Sequence, residues 1–109
     1  MSRTEGLTLA ASIGIWAQGD LAADVVLYRW EADNQTGFVT FESATRRIRP
    51  AEQSGQPIGD LVYEAAAGQA FGTAAGGVEL RLFSQIVAAI MRAYRRAGSP
   101  PATAHAYYY

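Results

Sequence analysis

Nine arginines, ten carboxylates and one histidine supply the charge-bearing chemistry of this 109-residue chain, which contains no cysteine and no lysine. Without thiols there are no disulfides, thiolate metal sites or cysteine nucleophile. Without lysine there is no P-loop, although Gly68–Gly72 and Gly76-Gly77 lie just before an apolar periodic stretch. These glycines read as a flexible connection. His105 alone cannot build a multi-histidine metal site. Beside a carboxylate it would serve as a general base, but its Pro- and Ala-rich terminal surroundings favour a surface tail residue. No HExxH, GxSxG or EF-hand pattern is present. No catalytic residue, metal ligand or cofactor is therefore assigned.

Two groups of residues remain as candidates for binding. Trp16, Tyr28, Trp30 and Tyr63, with Phe38 and Phe41, have the composition of an aromatic pocket between a sheet and a helix. Asp60, Glu64, Glu42 or Glu31 would supply its polar group, acting as an acid or base if burial raised its pKa. Aromatics at strand positions are, however, more often simply core. The second group is made of arginines and tyrosines. Arg46, Arg47 and Arg49 form one basic cluster, and Arg92, Arg95 and Arg96 another. Arginine suits interface ion pairs, and tyrosine gives large contact area at low entropic cost. Arg46, Arg49, Tyr107, Tyr108 and Tyr109 are accordingly the candidate interaction residues.

These side chains need elements to hold them. Leu7, Leu9, Ala11, Ile13 and Ile15 alternate with Thr8, Ala10, Ser12, Gly14 and Trp16, the period of a half-buried strand. Val25–Glu31 places Val26, Tyr28 and Trp30 on one face. A polar loop, Ala32–Gly37, then leads to a second aromatic strand, Phe38–Phe41, as in a hairpin. Arg47-Ile48-Arg49 is a short strand that should lie at a sheet edge or end at Pro50, its charged side chains and proline blunting such an edge. Leu61-Val62-Tyr63 suits a further strand that frays before Gly68.

The clearest element is a helix over Val78–Ala97. Leu82, Phe83, Ile86, Val87, Ile90, Met91 and Tyr94 recur at spacings of three and four, with Arg81, Gln85, Ala88 and Arg92 on the opposite face. Arg92, Arg95 and Arg96 complement its negative end, Gly98 fits the left-handed C′ position, and Pro100-Pro101 stops continuation. Beyond it, Ala102–Tyr109 reads as an added edge strand, a dimer arm or a mobile end, with Tyr94 marking where the tail docks.

The expected architecture is one α+β domain over residues 1–101, followed by an aromatic tail, 102–109, that is mobile or interface-forming. Its core is an antiparallel β-meander of four or five strands, with one long C-terminal amphipathic helix packed on one face. Residues 1–42 carry net charge −4 and residues 43–109 carry +3, an asymmetry that can mark an interaction surface. The overall charge of −1 gives no general attraction to nucleic acid, which is not an expected partner. No stretch has the roughly 20 apolar residues of a membrane span, and Glu5, Thr8, Ser12 and Gly14 spoil the leader-like segment 3–19. A cytoplasmic location is expected, and the all-arginine basic set with abundant Ala and Gly points to a GC-rich bacterial source. The functional expectation is a non-enzymatic protein–protein interaction or assembly module, homodimeric or bound to another protein. A small-ligand-binding protein or simple acid/base enzyme with the aromatic pocket is the alternative.

Overall fold

A computed structural model describes residues 10–73 and 78–107. Among them are seven strands and one helix: β1 (Ser12–Ala17), β2 (Val25–Ala32), β3 (Gln35–Glu42), β4 (Arg47–Ala51), β5 (Val62–Glu64), β6 (Gln69–Phe71), α1 (Leu80–Ala97) and β7 (Thr103–Tyr107). The strands form one curled antiparallel sheet in the order β6-β5-β4-β3-β2-β1-β7. The first six follow as a meander. The helix then carries the chain across the sheet, so that β7 pairs with β1.

The architecture is the expected α+β arrangement, but with seven strands in place of four or five. The two additional strands are the short β6 and the tail strand β7. Three residues are too few to show a period, and β7 buries only alanines, so neither carries the apolar alternation that reveals a strand. Of the roles open to the tail, Thr103–Tyr107 takes that of an edge strand. Tyr108 and Tyr109 lie outside the described residues, as does the Leu7–Leu9 part of the first strand.

Alternation dictates the core. Ile13 and Ile15 of β1, Val26, Tyr28 and Trp30 of β2, Val39 and Phe41 of β3, and Ile48 of β4 face inward and are fully buried. Each apolar side chain so placed contributes about 1.5–3 kcal/mol relative to exposure. Against them lie Leu82, Phe83, Ile86, Val87, Ala89, Ile90 and Met91 of α1. At 100° per residue the buried positions of the helix span roughly 240°, wider than the expected stripe, because the sheet curls around it.

That curl overturns one assignment. Gln85, placed on the solvent face by periodicity, is buried. Its Oε1 accepts from the Ala10 N–H and its Nε2 donates to the Ala10 carbonyl, both at 3.0 Å. The amide thus satisfies two backbone groups of the segment entering β1. Tyr94 also departs from expectation: its ring meets Phe41 of β3 edge-on at 5.4 Å.

Two further local readings change. The β2–β3 loop is only Asp33-Asn34, with Ala32 opposite Gln35 and Asp33 at φ 54°. Gly37 therefore lies inside β3, where the Trp30 ring covers its backbone. A side chain, not a turn, demands that glycine. β4 is not an edge strand: β3 flanks it on one side and β5 on the other. Pro50 is accommodated because β5 pairs only with Arg47 and Ile48, and beyond them Ile58 N–H donates to the Pro50 carbonyl at 3.0 Å. The β4 arginines thus guard no edge.

Candidate functional site

β1 shares its backbone groups between two neighbours. Gln18 N–H donates to Leu27 O and Asp33 N–H to Ser12 O, so the even-numbered residues of β1 bond to β2. Ala17 N–H donates to Ala102 O at 2.9 Å, so the odd-numbered ones exchange bonds with Ala102, Ala104 and Ala106. The same phase turns the N–H and C=O of Thr103 and His105 outward, away from β1. No strand among the described residues pairs with them. Ala104 and Ala106 are buried inward, whereas Thr103, His105 and Tyr107 stand on the outer face, Tyr107 at 61% exposure.

The outer face beside this edge is built around Trp16. Its indole folds over Gly14, where a methyl group would lie 2.5 Å from Cη2. Arg29 of β2 holds its guanidinium carbon 4.7 Å from the ring centroid. His105 of β7 meets the ring edge-on at 5.8 Å. Arg29 also pairs with Glu31. Ser12, Gly14, Glu31, Asp33 and His105 border a shallow hollow of about 250 Å³ next to Trp16. His105 is thus a strand residue within this cluster, a placement that its alanine-rich surroundings concealed.

Of the four aromatic candidates, Trp16 lies on this outer face, while Tyr28 and Trp30 are core residues. Tyr28 donates its hydroxyl to the buried Pro101 carbonyl at 2.7 Å, and burial pushes its pKa well above the usual value of 10.0. Trp30 Nε1 is buried without a hydrogen-bond partner. Tyr63 lines a groove that lies between α1 and the β5–β6 hairpin and has a volume of about 490 Å³. Its floor is Tyr63, Ala70, Val87 and Met91, and Arg92 and Arg95 stand on its helix wall.

The carboxylates scatter. Asp60 is exposed and accepts from Thr73 N–H at 2.9 Å and Thr73 Oγ1 at 2.8 Å. Those two bonds, aided by nearby Arg49, hold its pKa below the ordinary value, opposite to the rise that acid/base work in a pocket needs. Glu64 pairs with Arg47 at 2.8 Å. Arg49 donates to the Gly59 carbonyl at 3.2 Å, and Arg46 occupies the exposed β3–β4 turn at φ 54°. Arg47 and Arg49 share a hollow of about 230 Å³ with Thr40 and Glu42, their Nε atoms buried without partners. Glu42 already supplies negative charge there. The structure therefore brings together Trp16, Arg29, Glu31, His105 and Tyr107 at the β7 edge, gathers Glu42, Arg47, Arg49 and Glu64 on β3–β5, and leaves Tyr28 and Trp30 in the core and Tyr63 in the α1 groove.

Among the described residues no three His, Asp or Glu side chains converge closely enough to hold a metal ion. No helix among them is long and apolar enough to cross a membrane. No protein-family model, curated protein or solved structure matches this chain.

Proposed function

We propose that this protein is a non-enzymatic assembly module that pairs with a second copy of itself through β7. The open edge of that strand carries the reading. Exposed edges are commonly blunted by charge, proline, a bulge or shortness. β6, the opposite edge, is only three residues long. β7 has five residues with no proline, lysine, arginine or carboxylate, and it directs the backbone groups of Thr103 and His105 outward. An antiparallel pair of β7 strands about a two-fold axis would satisfy those groups reciprocally, since such an interface is self-complementary. With all five residues paired, His105 faces its own copy and the Trp16 clusters of the two protomers lie side by side.

Light scattering on the eluting protein tests this. The expected mass at micromolar concentration is twice the 11.7 kDa of the chain. His105→Pro removes an outward donor while leaving the bonds to β1, and His105→Lys sets like charges opposite one another. Both should give monomers with an unchanged circular dichroism spectrum, whereas His105→Ala stays dimeric. A wild-type monomer throughout the micromolar range, or a dimer indifferent to both substitutions, would exclude the β7 interface.

A further inference from the structure

The groove between α1 and the β5–β6 hairpin belongs neither to the β7 edge nor to the core. Its helix wall runs from Ser84 through Ala88 and Met91 to Arg92 and Arg95. At 1.5 Å per residue that wall is roughly 16 Å long, with the small hydroxyl of Ser84 at one end, Ala88 and Met91 between, and the two arginines at the other end. The volume of about 490 Å³ falls within the range of small-molecule sites, about 300–1,000 Å³. Val87 and Met91 are buried beneath it, and the Tyr63 ring closes the sheet side.

Charge distinguishes the two ends. Neither Arg92 nor Arg95 has a carboxylate within salt-bridge reach among the described residues. The helix C-terminus does not account for Arg92. Stabilisation of a cation by the helix dipole is confined to the last turn, and that turn contains Arg95 and Arg96. Arg92 stands before it, on the same side as Arg95, so both guanidiniums border the groove while Arg96 does not. A trough floored by the aliphatic Val87 and Met91 and ending in two guanidiniums that are unpaired among the described residues is complementary to a chain with one anionic head. Arginine's planar fork matches a carboxylate.

We propose that this groove binds an aliphatic carboxylate of medium chain length, its alkyl chain over Val87 and Met91 and its head on Arg92 and Arg95. The groove is lined by residues of α1 and the β5–β6 hairpin and by none of β7, so a ligand seated there leaves the self-association edge uncovered.

Decanoate at submicellar concentration, with decanol as a neutral-head control, is the probe for isothermal titration calorimetry. The wild type should bind decanoate at least tenfold more tightly than decanol. Arg92→Ala with Arg95→Ala should erase that preference, whereas Arg96→Ala should preserve it. Ala88→Trp, a substitution at an exposed position of the groove wall, should abolish binding of both compounds while circular dichroism stays unchanged. Chemical-shift mapping should place decanoate-induced changes at Tyr63, Ala70 and Met91, even if the tryptophan variant does not fold. Absence of decanoate binding at millimolar concentration, equal binding of the two compounds, or shifts confined to the Trp16 face would overturn the assignment. The β7 variant His105→Lys should bind decanoate like the wild type, which separates failure of this site from failure of the dimer.

Discussion

A methyl group added at Gly37 would lie 2.6 Å from Trp30 Cζ2, and one added at Gly14 would lie 2.5 Å from Trp16 Cη2. The clashes are alike, but the rings are not. Trp30 is 1% exposed and enclosed on all sides, so Gly37→Ala must displace core, at a cost of about 1–3 kcal/mol. Trp16 is half-buried on the outer face and can swing into solvent. Gly14→Ala should cost less than about 1 kcal/mol, because the alanine recovers some strand entropy. It should also disrupt the Arg29 and His105 contacts. Urea melts of the two variants, with Trp16 fluorescence as a local reporter, test the contrast. Equal destabilisation would show that the Trp16 cluster is as rigid as the core. At this scale the sequence was partly legible. The inward set of β2 could be read from alternation, but a glycine required by a cross-strand ring looks the same in sequence as one required by a turn.

At the scale of elements, periodicity located α1 and its Gly98 terminus, where the observed φ is 77° and Gly98 N–H donates to the Tyr94 carbonyl. It misassigned Gln85, because a helix wrapped by a curled sheet buries flanks that a flat sheet would leave wet. Gln85→Ala leaves the Ala10 N–H and C=O buried without partners and should destabilise the domain by about 1–3 kcal/mol. Hydrogen exchange should accelerate first at Ala10 and the start of β1. A global loss with no local change there would refute the anchoring role. β4 was misread for a comparable reason: proline excludes a ladder bond at one position, not interior placement of the whole strand. The groove between α1 and β6 was not legible, since β6 itself gave no signal and Tyr63, Met91, Arg92 and Arg95 had been assigned to different groups.

For the whole molecule, the hydrogen bond from Tyr28 to Pro101 ties the middle of the sheet to the segment that leads into β7. Its tyrosine is held neutral in the folded state, with a pKa raised by burial, whereas in the unfolded chain it ionises near 10.0. The folded state therefore binds a proton that the unfolded state releases. Stability should be intact below pH 10 and should decline as pH rises beyond it. Tyr28→Phe should flatten that alkaline decline while lowering stability at neutral pH by about 1–3 kcal/mol, through the orphaned carbonyl. Denaturant midpoints between pH 7 and 11 measure both effects. An identical alkaline slope in the variant would show that another group controls it.

The strand order has a consequence in time. β1 is bracketed by β2, which follows it closely, and by β7, whose Ala106 lies opposite Ile13 at a separation of 93 positions. A chain emerging from the ribosome can form the β1–β6 meander and begin to dock α1 while one side of β1 is still unmatched. Ile13, Ile15 and Ala17 then offer their backbone groups to any passing strand until residues 103–107 have been synthesised. Joining partners so distant in sequence is slow, because loop closure precedes the reward of contact. Nascent chains on one message would thus carry a transient adhesive edge at β1, in the place that β7 later occupies, and misassembly during synthesis should concentrate there.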